Sequence, residues 1–182
     1  LHALRCAEPS LLNKPTAIIA GEGKNAALAY VSPEAEDVEP NLAVPIAMAR
    51  SPGIVLRTRD VNAEAEAMRL VIAAAFSLSP RVEITSPGTC TVDLQGADPE
   101  RTETAMRLRV TELTRMGLPA KAGAAETPLI AWYAAQCADP LLVVREKAGF
   151  LANLPLAFAE PTLQQSEVLR EWGIQFLGQL TA

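Results

Sequence analysis

Apolar and polar residues alternate along Val82-Glu83-Ile84-Thr85 and again along Cys90-Thr91-Val92-Asp93-Leu94. A period of two predicts paired β-strands, and Ser86-Pro87-Gly88-Thr89 between them supplies the turn of a hairpin. Upstream, the apolar runs at 15–20 (PTAIIA) and 26–31 (AALAYV) flank Gly21-Glu22-Gly23 and predict two more strands, with another at 53–57 (GIVLR). Pro33, Pro40, Pro45 and Pro52 leave room between them only for short helices such as 45–50. Asp60 or Asn62 can cap a long helix whose apolar stripe includes Ala65, Met68, Ile72, Ala75 and Phe76, and Pro80 stops it.

After the hairpin, Asp98 offers an N-cap with Pro99 at the first helical position. Met106, Val110 and Leu113 then recur at helical spacing until Gly117. Residues 119–125 (PAKAGAA) read as a strand, and Thr127-Pro128 opens a helix to about Ala138. Asp139-Pro140 marks a break. Thr162 with Gln165 makes a capping box for a helix ending near Trp172-Gly173, and 176–180 forms a short final helix. The order helix, strand, strand, helix, strand, helix predicts an α+β fold with a ferredoxin-like palm sheet, helices on one face, if a strand precedes the chain.

Composition narrows the function classes. With 49% hydrophobic residues the 182-residue chain can bury a core. No run reaches the roughly 18 apolar residues of a bilayer span, so a cytoplasmic protein is expected. Cys6, Cys90 and Cys137 are scattered, which points to neither a disulfide framework nor a zinc site. Sixteen Lys and Arg against 21 Asp and Glu give a net charge of −5, the wrong sign for a domain held on nucleic acid by phosphate contacts. Glu34, Glu36, Asp37 and Glu39 concentrate acid in what reads as a solvated loop. The opening at Leu1, without methionine, suggests that something precedes it.

Candidate chemistry is sparse. His2 has no second histidine with which to share a metal or proton, and Gly21-Glu22-Gly23-Lys24 has the wrong spacing for a phosphate loop. Asp93 is the hairpin's own carboxylate, and Glu83 lies on the partner strand as an exposed structural pair or an atypical metal ligand. Two-metal nucleotidyl transfer needs several carboxylates converging on two cations, and the hairpin tip has none.

Five stretches together resemble the Y-family (UmuC-type) translesion DNA polymerases over nearly the whole chain. Residues 8–18 (EPSLLNKPTAI) are similar to the family's NPELRGKPVAV, and 32–50 (SPEAEDVEPNLAVPIAMAR) to SYEARAFGVRSGMPLAEAR. Residues 82–96 (VEITSPGTCTVDLQG) are similar to VEPLSIDEAFLDVTG, 121–135 to SVGIAPNKFLAKLAS, and 172–180 (WGIQFLGQL) to LGIRTIGDL. The resemblance implies a palm entry remnant at 1–8, a fingers-like lobe at 9–59, a palm at 60–146 and a helix-hairpin-helix-like thumb fragment at 147–182.

It also implies lost chemistry. The Asp-Glu pair that binds the family's catalytic metals falls on Gly88 and Thr89. The triphosphate-gripping tyrosine, arginine and lysine fall on Pro33, Glu36 and Trp132. The thumb's GVGPK, whose backbone amides receive a DNA phosphate, falls on 160–164, leaving Thr162, Leu163 and Gln164 as candidate DNA contacts. The pattern resembles the ImuB-type members of bacterial damage-induced mutagenesis. That resemblance implies a non-catalytic adaptor without a cofactor, weakly held on DNA, which joins the sliding clamp, an error-prone polymerase and a RecA-like accessory protein. The alternatives are an active translesion polymerase with an atypical Mg²⁺ site, built from acids such as Glu83 and Asp93, and an unrelated ferredoxin-like small-ligand module.

Overall fold

The computed structural model describes residues 1–21, 23 and 26–180, which form two compact units, Leu1–Ala120 and Lys121–Ala182. Each unit builds its own small sheets. In the first, β1 (Thr16–Ala20) lies between β2 (Ala27–Val31), antiparallel, and β3 (Val55–Thr58), parallel. Of the turn expected at Gly21-Glu22-Gly23-Lys24, Glu22 and Lys24 lie outside the described residues.

Strand alternation gives this sheet two apolar faces. Ala17, Ile19, Leu28 and Leu56 pack with Ala35, Val38 and Ala47, the last on α2 (Val44–Arg50). Ile18 and Val55 pack oppositely with Leu4 of α1 (His2–Ala7), Leu11 and Ala63. The long helix α3 (Val61–Phe76) begins at Asp60, whose carboxylate accepts from the Asn62 and Ala63 amides at 2.9 and 3.0 Å. Of the expected stripe Ala75 is buried and Met68 and Ile72 are half-buried, while Ala65 and Phe76, at its edges, are exposed. Ala63, outside that stripe, is buried against Leu4 and Leu11, because the helix also packs on α1.

The hairpin forms as β4 (Val82–Ser86) and β5 (Thr89–Val92), followed by α4 (Pro99–Arg115), which Asp98 caps at 2.8 Å through the Arg101 amide. Gly117 adopts φ 86° after α4, and Leu118 is buried behind it.

In the second unit the expected strand at 119–125 shortens to β6 (Ala122–Ala124), and α5 (Pro128–Cys137) follows it. The chain then does not simply break at Asp139-Pro140. It continues as β7 (Leu141–Val143), parallel to β6, so residues 122–143 form a β-α-β unit. Gly123 is obligatory there, since a Cβ on it would lie 2.2 Å from the Ala131 carbonyl oxygen of α5. The unit closes with α6 (Lys147–Ala152), a 3-10 turn at Leu156–Ala159, α7 (Leu163–Glu171) and a 3-10 turn at Leu177–Leu180. Phe158 meets Tyr133 of α5 edge to face at 6.0 Å, and the Leu156 amide donates to Gln175 O at 2.8 Å. Among the described residues no helix is long and apolar enough to cross a membrane.

Candidate functional site

The hairpin carries the residues that sequence reasoning singled out. Ser86 pairs with Thr89, which leaves Pro87 and Gly88 as a two-residue connection, and Gly88 holds φ 79°. Proline followed by a residue of positive φ is the requirement of a type II turn, and glycine meets it without strain. One face of the hairpin is polar. Glu83 stands opposite Thr91, and the Thr85 and Thr91 hydroxyls share a hydrogen bond of 2.6 Å. On the other face Cys90 and Val92 are half-buried, and burial pushes the Cys90 thiol up.

Asp93 is held in local structural contacts. Its carboxylate lies 3.3 Å from the Arg81 guanidinium and accepts the Gln95 amide at 2.8 Å, while Arg81 also donates to Gln95 O at 2.8 Å. Glu83 faces Thr91 and not Asp93, so the register separates the two acids of the atypical-site alternative by two residues along the strand. Among the described residues no three His, Cys, Asp or Glu side chains gather closely enough to hold a metal ion. At the tip, Gly88 offers no side-chain oxygen and Thr89 only a neutral hydroxyl. Those residues do not fit divalent cations, which need anionic oxygen donors.

The loop after β2 has a firm base and an acidic rim. Ser32 is buried; its hydroxyl accepts the Thr16 amide at 2.9 Å, and its own amide donates to Thr16 O at 2.8 Å. Glu34, expected as part of a solvated acidic loop, is instead bound to Arg5, whose guanidinium donates to it at 2.6 Å and to Lys14 O at 3.1 Å. That hydrogen bond from Arg5 holds the Glu34 carboxyl at about 2, below its ordinary 4.5, with burial opposing and the Ser32 hydroxyl assisting. Sequence reasoning missed Arg5, because an ion pair spanning 29 positions leaves no local pattern. Pro33 and Glu36 are exposed on the same loop. An open cavity of about 690 Å³ beside them is lined by Asp37, Val38, Glu39 and Arg50. Proline donates nothing from its backbone and Glu36 brings a negative charge, so neither residue can grip a triphosphate.

In the second unit, Trp132 lies on α5, 38% exposed. Its indole presents one N–H and no charge, so it cannot pair ionically with a triphosphate. The thumb-like turn keeps a glycine-type backbone without a glycine. Glu160 adopts φ 47° and ψ 49°, a left-handed conformation costly for its side chain. The first turn of α7 is closed by its own side chains: the Thr162 amide donates to Gln165 Oε1 at 2.9 Å, and the Gln165 amide to the Thr162 hydroxyl at 3.3 Å. Leu163 is 86% exposed and Gln164 is exposed beside it. Exchanging Glu160 for glycine and Gln164 for lysine is expected to strengthen binding to duplex DNA and to steepen its log–log salt dependence by about 0.9, one added phosphate contact. A fluorescence-anisotropy titration at several salt concentrations reads both, and an unchanged slope would count against Gln164 as a DNA-facing position.

The fold has known counterparts. Residues 2–136 match the impB/mucB/samB family, and the chain belongs to that family. Its fold is similar to that of an insertion ternary complex of Dbh DNA polymerase, at a TM-score of 0.77 and 20% identity over 95% of this chain and 54% of the other. DinB from Sulfolobus solfataricus aligns with a TM-score of 0.76, also at 20% identity, over 95% of this chain and 54% of that one. The chain thus spans about half the length of these solved structures, and it is a Y-family DNA polymerase-like domain. A comparison with curated protein sequences finds no match. Family membership sets aside the unrelated small-ligand module, whose mark would have been the lack of a fingers lobe and of a helical hairpin after Pro140.

Proposed function

We propose that this chain is part of a catalytically degenerate, ImuB-type Y-family protein that acts as a non-catalytic adaptor in error-prone translesion synthesis and the bacterial SOS response. The observation that carries the reading is the hairpin tip, where Gly88 and Thr89 stand in place of a metal-binding Asp-Glu pair. Pro33, Glu36 and Trp132 support it, since each replaces a triphosphate contact with a group unable to make it. Asp93 is held by Arg81, which argues against a metal site rebuilt from Glu83 and Asp93. In this reading the four-part division into 1–8, 9–59, 60–146 and 147–182 preserves the polymerase frame as a scaffold. Its partners are a sliding clamp, an error-prone polymerase and a RecA-like accessory protein in the cytoplasm, with weak DNA contact through Thr162, Leu163 and Gln164.

Primer extension by the full-length protein, with Mg²⁺ or Mn²⁺, tests this directly. No incorporation above background is expected. Metal-dependent extension that disappears in a Glu83→Ala, Asp93→Ala variant would overturn the adaptor reading in favour of an active polymerase with an atypical site.

A further inference from the structure

We infer that the outward face of α2, with the acidic loop before it, is a docking surface for a basic amphipathic helix of a partner protein. The partner's apolar side chains rest on α2, and one of its lysines or arginines enters the cavity lined by Asp37 and Glu39. Such docking is independent of whether the hairpin tip binds metal.

Helix α2 is apolar on both sides. Ala47 faces the core with no exposed surface, yet Pro45, Ile46, Met48 and Ala49 are all exposed, and the first polar residue of the helix is Arg50 at its end. A surface helix ordinarily turns polar side chains outward, and one that is apolar all round is normally covered. Ile46 is 47% exposed and Met48 54%, so no described part of the chain supplies that cover.

Charge decides what fits there. Glu34 is committed to Arg5, which leaves Glu36, Asp37 and Glu39 exposed on the loop. Ala35 and Val38 of the same loop share a core cluster with Ala47, so loop and helix lie side by side. Ile46 and Arg50, four residues apart, lie on one flank of α2, and Arg50 lines the open cavity of about 690 Å³ together with Asp37, Val38 and Glu39. Among the described residues no ion pair engages Glu36, Asp37, Glu39 or Arg50, so the acids stand apart from the guanidinium across that space. Three carboxylates against one cation leave this flank negative, which attracts lysine and arginine and repels a phosphate backbone. The seven residues of α2 span about 10 Å, enough to seat two turns of a partner helix with its apolar stripe on Pro45, Ile46 and Ala49.

The probe is a fluorescein-labelled helical peptide of leucine and lysine, about four turns long with its leucines on one face, titrated by anisotropy against the full-length protein at physiological salt. Saturable binding is expected. It should weaken about tenfold in Asp37→Asn, Glu39→Gln and about fivefold in Ile46→Ser, and tighten about threefold in Arg50→Ala, whose guanidinium repels the peptide's lysines. Asparagine also tolerates the left-handed backbone of residue 37, φ 62°, so the double variant keeps the loop, and circular dichroism establishes that each variant is folded. Glu171→Gln, which removes an exposed acid of the other unit, should leave binding unchanged. A scrambled peptide of the same composition should bind about tenfold more weakly or worse. Equal binding of the scrambled peptide, undiminished binding by Ile46→Ser or by Asp37→Asn, Glu39→Gln, or no saturable binding by the wild type would each overturn the inference. None of these results bears on primer extension, which tests the adaptor reading separately.

Discussion

Gly123→Val is expected to unfold the Lys121–Ala182 unit, and Gly123→Ala to cost more than about 3 kcal/mol, because the added carbon meets backbone rather than a movable side chain. A Cβ at this position would sit 2.2 Å from Ala131 O, 2.2 Å from Ala135 N and 2.8 Å from Ala134 C. Helix α5 therefore lies directly on β6, and any side chain at 123 must push the whole helix outward. Ala134 at that contact has no exposed surface, and Tyr133 beside it carries the edge-to-face contact to Phe158, so the displacement would reach the thumb-like turn. Gly53→Ala is the control, since its Cβ would meet nothing within 4 Å and should change stability by about 0.5 kcal/mol or less. Urea unfolding of both variants distinguishes them. A Gly123→Ala protein as stable as the control would show that α5 does not approach β6 this closely. Trp132 lies on the same helix, so the placement of its side chain depends on the helix keeping its position.

Much of the fold was legible because helix starts in this chain carry their own chemistry. Asp60, Asp98 with Pro99, Thr127 with Pro128, and the Thr162–Gln165 pair each cap the helix that their spacing predicts. The hairpin was legible to the tip, since alternation and Pro-Gly turn chemistry agree with each other. Elements without such local marks were missed. Strand β7 is three residues long, too short for a period of two to register, and it exists because β6 offers it a parallel partner. Helix α6 is capped by Glu146, whose carboxylate accepts the Ala148 and Gly149 amides, a role the sequence pattern did not suggest. The left-handed Glu160 was likewise hidden, because glutamate gives no signal for that conformation, whereas Asn13, Asp37 and Asn41 are residue types that adopt it readily. At the candidate site the turn at Pro87-Gly88 was readable from the sequence, but the commitment of Asp93 to Arg81 was not. The pair closes across the strands just outside the ladder, where register and not residue type decides who meets whom.

Glu34→Gln is expected to destabilise the first unit by about 2–3 kcal/mol at neutral pH, because the amide oxygen can still accept from Arg5 but no longer neutralises its buried guanidinium. The Arg5 side chain is 8% exposed and that of Glu34 30%, so the loss should lie below that of a fully buried pair and above that of a surface one. Arg5 Nε has no hydrogen-bond partner even in the intact pair, so Arg5→Met removes a desolvated charge together with its unmet donor. The Arg5→Met, Glu34→Gln double variant should accordingly be more stable than Glu34→Gln alone. The pH dependence follows from the depressed Glu34 pKa. The unfolded chain binds this proton near 4.5 and the folded chain only near 2, so the ion pair's stabilisation is fully present above about pH 4.5 and is lost as pH falls towards 2. Between those limits the wild type should lose about 1–2 kcal/mol that Glu34→Gln does not, after discounting for the partial exposure of the carboxylate. Urea midpoints measured from pH 7 to pH 2 would show the two curves converging at the acid end. Parallel curves would mean that Glu34 titrates alike in both states and that the Arg5 contact does not hold the loop. If it does hold, the Arg5–Glu34 pair adds to the Ser32–Thr16 hydrogen bonds in fixing the segment that carries Pro33 and Glu36.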